Sequence, residues 1–212
     1  MKKNTFIRPF WIFIIFLQFL FAKSDSELWS SIGFEKKIPR NFIFELEQGI
    51  RYKEQFSSFK QTFTELAISY EVTDGLSIFI PFRYAIFKEK IKQRLSVGWS
   101  FKSNFKPINF KYSGKFQKMY ENSIFTDQLF RNKLTIGYNV NKKIKPYISG
   151  EIFYLNHENK YLQDENRFSL GISMKLFKKN RIKIFHKQKL EDLHKTKTNK
   201  VYVMGLAYSL EL

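Results

Sequence analysis

Three histidines, His157, His186 and His194, are the side chains with the most obvious capacity for proton-transfer chemistry. In a lipid-modifying enzyme such a residue activates a serine or a water and is itself oriented by an acid or an amide. His157 sits beside Glu158 in a polar stretch, His186 lies in a lysine-rich run, and His194 belongs to the charged segment 191–199. None shares a compact, strand-compatible spacing with a serine, so no catalytic residue is assigned. Asp164 and Glu165 stand too far from His157 in sequence for a metal-ligand set. The absence of cysteine removes thiolate ligands, thiol nucleophiles and disulfides together. The nine glycines are scattered singly and build no phosphate-cradling loop. No catalytic, metal or cofactor site is expected.

The second constellation is electrostatic. Glu45, Glu47, Arg51, Glu65, Glu71, Arg83, Arg94, Lys111, Lys115, Lys133, Glu151, Arg167 and Lys175 fall at alternate positions of segments whose other positions are apolar. On extended chain, alternate residues share a face. These charges therefore belong to one inner surface, where they either form a basic, anion-selecting lumen or fill it as a plug of mutual ion pairs. Pairing of the early acids (Glu45, Glu47, Glu65) with the central bases (Arg94, Lys111, Lys115) is the expected form of such a plug.

The elements that must hold these charges are most legible in residues 64–87. Leu66, Ile68, Tyr70 and Val72 alternate with Glu65, Ala67, Ser69 and Glu71. The Asp74-Gly75 pair offers a tight turn, and Leu76, Ile78, Ile80, Phe82, Tyr84 and Ile86 then resume the apolar face. Arms of about twelve residues exceed the usual five or six of soluble strands and suit a bilayer, which takes about nine to eleven tilted residues. The same pattern recurs over eleven segments, beginning near residues 24, 42, 62, 76, 91, 108, 131, 147, 167, 181 and 201. Because bacterial barrels normally have an even number of strands, either the first segment fails to span or another strand hides in residues 119–130. The fold expected is all-β, a single antiparallel up-and-down transmembrane barrel of about 10–12 strands. Residues 118–130, 156–165 and 191–199 read as longer loops, set against short basic turns at the opposite end.

The chain of 212 residues begins with Lys2, Lys3 and Arg8, followed by an apolar run over residues 10–21 and Ala22. That run is short for a membrane helix and has the form of a signal peptide, giving a signal over residues 1–22 and a barrel domain over residues 23–212. A formal charge of +18 invites a nucleic-acid reading. However, the cations are spread over the whole length at strand period, and no nucleic-acid partner is expected. The expected partners are the outer-membrane bilayer and the barrel-assembly machinery, with the oligomeric state left open.

Leu28-Trp29, residues 64–70 (T-E-L-A-I-S-Y), 81–84 (P-F-R-Y), 131–138 (R-N-K-L-T-I-G-Y), 146–153 (P-Y-I-S-G-E-I-F), 167–172 and 205–210 (G-L-A-Y-S-L) carry a resemblance. Together they resemble the outer-membrane barrels grouped as domain-of-unknown-function family 2490. The resemblance implies a porin-like cell-envelope barrel without a known reaction, and it brings no catalytic residue. The function expected is a structural or narrow, anion-leaning channel role in the outer membrane. The alternatives are a lipid-modifying barrel enzyme and a soluble periplasmic ligand-binding barrel. The second would have to expose Phe42, Phe44, Phe82, Trp99 and Phe110 to water.

Overall fold

The structure, a computed structural model, describes residues 25–157, 160–177 and 179–212; the expected signal peptide, residues 1–22, lies outside them. Among the described residues the period-two segments form eleven strands. In chain order they are β1 (Asp25–Ile38), β2 (Phe42–Lys53), β3 (Ser58–Thr73), β4 (Leu76–Phe87), β5 (Ile91–Phe105) and β6 (Ile108–Glu121). They continue as β7 (Ile124–Tyr138), β8 (Ile144–His157), β9 (Lys160–Phe177), β10 (Asn180–Glu191) and β11 (Asn199–Glu211). Consecutive strands pair antiparallel, and the sheet closes on itself between β1 and β11.

That closure corrects the expected even count. The first segment does span, and residues 119–130 hide no extra strand. An odd number of alternating strands leaves the first and last pointing the same way, so β1 and β11 pair in parallel from Asp25↔Val201 to Glu35↔Glu211. The barrel is antiparallel at every seam but this one.

Two of the three expected long loops are strand instead. β6 runs on to Glu121 and β7 begins at Ile124, joined by Asn122 and Ser123, both at positive φ. β8 runs to His157 and β9 starts at Lys160. In both hairpins the pairing slips by one residue, between Met119 and Tyr120 and between Phe153 and Tyr154. A bulge of this kind inverts the alternation beyond it, which is why these stretches lose their period in the sequence. The loop 192–198 is retained. At the hairpin of β3 and β4, Gly75 takes φ 85°, and a Cβ there would lie 2.3 Å from the Lys102 carbonyl oxygen. Only glycine meets both conditions.

The apolar members of each alternating set face outward, so that Ile68, Ile80, Val97, Phe101, Ile148 and Ile172 are exposed on the outer wall. Aromatic pairs gather at both ends. Phe42–Tyr70 and Phe105–Phe110 lie at 5.0 and 6.3 Å near turns 39–41 and 106–107, whereas Tyr52–Phe59 and Tyr120–Phe125 lie at 6.4 and 5.9 Å at the opposite end. The small apolar core is internal: Trp29, Val201 and Val203, with Phe185 packed against them.

Several inward aromatics lie across a glycine directly opposite on the next strand. Phe63 faces Gly49, Phe79 faces Gly98, Tyr147 faces Gly171 and Phe185 faces Gly205. A ring laid flat on a glycine covers bare backbone and leaves room in the crowded interior. At Gly205 an added Cβ would meet the Phe185 ring at 2.0 Å. Gly205→Ala is therefore expected to destabilise the barrel by about 1–3 kcal/mol through overpacking. In a Phe185→Ala background the same change should cost at least ~0.5 kcal/mol less. Urea unfolding of the single and double variants measures the difference.

Candidate functional site: the charged interior

Strand alternation turns all of the charged set inward, and the inner wall sorts it into levels. In the middle of the barrel two carboxylates act as hubs. Glu65 on β3 accepts a hydrogen bond from Arg83 Nε at 2.6 Å, and Arg94 Nη2 approaches the same oxygen at 3.3 Å. Glu47 stands 3.9 Å from Arg83. Glu151 on β8, 1% exposed, accepts from Arg131 at 2.6 Å and pairs with Lys133 at 2.9 Å. Lys187 and Arg167 lie at 3.7 and 3.9 Å from it. Arg167 is turned the other way to make a two-pronged contact with Glu165, its Nε and Nη2 at 2.6 and 2.7 Å. Such fork-to-carboxylate contacts are among the stronger ion pairs.

A third hub lies toward the end that carries the 192–198 loop. Glu27, fully buried, accepts from the Trp29 indole at 2.7 Å and from Lys60 at 2.5 Å, with Lys189 at 3.5 Å. Lys189 also pairs with Glu191.

Three buried rings join the hubs. The Arg51 guanidinium lies 3.7 Å from the Trp29 ring centroid and 5.0 Å from that of Phe63, and Arg83 lies 3.9 Å from that of Phe63. Phe153 is flanked by Arg167 at 4.2 Å and Arg131 at 5.2 Å. Arginine is suited to these places because its planar, weakly hydrated head stacks on aromatic faces.

Of the expected pairings of Glu45, Glu47 and Glu65 with Arg94, Lys111 and Lys115, the one made is Glu65 with Arg94. Glu65 is satisfied by Arg83 on the adjacent strand and by Arg94 one strand further. Lys115 is buried without an ion pair among the described residues, while Glu45, Lys111 and Lys175 are exposed at the end bearing turns 39–41 and 106–107, away from the hubs. Reading from sequence missed Glu27, Lys60, Arg131, Glu165, Lys187 and Lys189. The alternation Lys183, Phe185, Lys187, Lys189 was visible in β10, but the β9 bulge hid the phase of Glu165.

The histidines do not converge. His186 is on the outer wall, stacked on Tyr202 at 5.7 Å, and His194 pairs with Asp164 at 2.9 Å in the loop region. His157 ends β8. In the same loop Lys195, 2.6 Å from Asp192, and Asn199 hold the Asp192 carboxyl below the usual carboxylate range. Among the described residues no three acidic or imidazole groups are placed to hold a metal. An apolar groove of about 580 Å³ lies along outward residues such as Ile136, Ile148, Leu170 and Ile184. It has no convergent polar groups and belongs to the outer wall.

The Glu151 hub gives a direct test of how the interior is held. Glu151→Gln leaves Arg131, Lys133 and Lys187 without a carboxylate partner, while Arg167 keeps Glu165. Breaking a buried pair from one side costs about 3–5 kcal/mol. Glu151→Gln should lower the urea midpoint accordingly, and combining it with Lys187→Met should recover part of the loss.

No curated protein matches the sequence. Among solved structures, the KdgM porin in complex with disordered oligogalacturonate superposes with a TM-score of 0.50 at 12% identity, covering 80% of this chain and 85% of that one. The NanC porin in a rhombohedral crystal form gives 0.49 at 10% identity, covering 77% and 86%. At these identities the likeness to the KdgM porin is one of fold. The family model of DUF2490, described as "Protein of unknown function", matches residues 26–200, and the chain belongs to that family.

Proposed function

We propose that this protein is an outer-membrane β-barrel whose interior is narrow and anion-favouring, and that it carries out no reaction. Export through the signal peptide of residues 1–22, folding of residues 23–212 as the barrel domain, and insertion by the barrel-assembly machinery belong to the same reading. The outer wall supports the location. Its contiguous apolar belt, flanked by aromatic pairs at both ends, matches a bilayer core between two interfaces. A soluble barrel would expose that belt to water at large cost.

The observation that carries the anion preference is the charge balance of the middle of the barrel. Arg51, Arg83, Arg94, Lys115, Arg131, Lys133, Arg167 and Lys187 face Glu47, Glu65, Glu151 and Glu165, eight cations against four carboxylates. Rings of basic side chains select anions. The interior is also crowded. Gln117, Ser96, Ser149 and Ser169 are each no more than 4% exposed, so any path is thin. This crowding favours a second reading, in which the ion-paired interior is a permanent plug and the barrel is structural.

Planar-bilayer recording on the mature chain separates the two. Small, steady, anion-preferring steps are expected. Arg51→Glu and Lys115→Glu, neither of which breaks an ion pair, should move the reversal potential toward cation preference. A folded barrel that passes no current would establish the plug and overturn the channel.

A further inference from the structure

At the end bearing turns 39–41, 74–75 and 106–107, the interior opens into a mouth. Lys102, Lys111, Lys145, Lys175, Arg181 and Lys183 occupy inward positions there, on β5, β6, β8, β9 and β10. The register of the sheet sets Lys102 directly opposite Lys111, and Arg181 directly opposite Lys175. Like charges directly opposed on neighbouring strands destabilise the pair. Deeper in the barrel the comparable pair Arg83↔Arg94 is compensated by Glu65, which contacts both. At the mouth no such hub exists. Among the described residues no carboxylate lies within ion-pair distance of any of the six cations, and the inward acids at this end, Glu35, Glu45, Glu71 and Glu211, belong to β1, β2, β3 and β11, outside the arc.

We propose that this arc is a binding site for a linear polyanion, which supplies the counter-charge that the chain withholds. The proposal rests on the anion-favouring reading of the lumen and adds to it a place and a ligand class. Strand spacing sets the length. Neighbouring strands lie about 4.8 Å apart, so the Lys102/Lys111 pair and the Lys175/Arg181 pair are separated along the wall by roughly 14 Å, with Lys145 between them. A single small anion neutralises one pair at most. A chain of linked anionic groups reaches both, and its charges can follow the strands around the arc. The cations here are more exposed than those of the hubs, so such a ligand enters without breaking the ion pairs in the middle.

The test uses tripolyphosphate as the probe and inorganic phosphate at matched ionic strength as its control, on the full mature barrel in a non-ionic detergent. Thermal unfolding is followed by tryptophan fluorescence. Tripolyphosphate should raise the midpoint in a saturable way, and phosphate should not. Lys111→Gln with Lys175→Gln removes one member of each opposed pair. It should weaken tripolyphosphate at least tenfold and, by relieving repulsion, raise the ligand-free midpoint. Lys102→Gln with Arg181→Gln removes the other members and should behave alike, which guards against one variant failing to fold. Equal stabilisation by the two anions, or unchanged tripolyphosphate affinity in both double variants, overturns the site. Tripolyphosphate binding by a barrel that passes no current would keep this site and overturn the conducting reading. Anion-selective current without tripolyphosphate binding would do the reverse.

Discussion

The rest of the structure depends on closure of the sheet. Each strand has a hydrogen-bonded neighbour on both sides, so no edge is left to pair elsewhere. Without a cysteine in the chain, this ladder and the packing of the interior hold the fold. Closure over eleven strands forces one parallel seam, and β1 meets it with an unbroken run of partners on both sides, β11 and β2. The seam places Glu27 and Trp29 beside β11, which is why the innermost apolar cluster gathers there with Val201 and Val203. The same residues anchor the Glu27 hub. Topology and interior chemistry are thus joined at the first strand.

Closure also divides every strand into two solvents. The wall that faces outward can be almost wholly apolar, and the inner wall must take the polar half of the chain in a space too narrow for each group to keep its own water. Carboxylates are fewer than cations, so each is shared: Glu151 among four partners, Glu65 between two. The rings of Trp29, Phe63 and Phe153 receive arginines, both Arg51, which has no carboxylate, and the ion-paired Arg83 and Arg167. Lysine, with a compact and strongly hydrated head, is less suited to a ring face. It fills the mouth, where water still reaches it.

Much of this was legible before any coordinates. The eleven alternating segments, their inward and outward faces and the Asp74-Gly75 turn all follow from period two and turn chemistry. What sequence could not give was phase after a bulge. One extra residue at Thr126 in β7 and another at Asp164 in β9 make true strand read as loop, and with the second Glu165 loses its face. The parity of the barrel was misjudged because the expectation of an even count outweighed the eleven segments present. Partner choice was the other gap. Charge order along the chain points to Arg94, Lys111 and Lys115 as partners of the early acids; Glu65 does reach Arg94, but its nearest partner is the cross-strand neighbour Arg83 directly opposite.

Adjacency also explains why the middle and the mouth differ although both contain opposed cations. In the middle, a carboxylate lies on the same strand or the next one to each like-charged pair, so repulsion is turned into a shared ion pair. Near Lys102/Lys111 and Lys175/Arg181 the neighbouring uncharged inward residues are serine and threonine: Ser113, Thr135 and Ser173. These small side chains leave space and supply no charge. A cationic arc with no ion-pair partner among the described residues is the arrangement that leaves its charge to something from outside the chain.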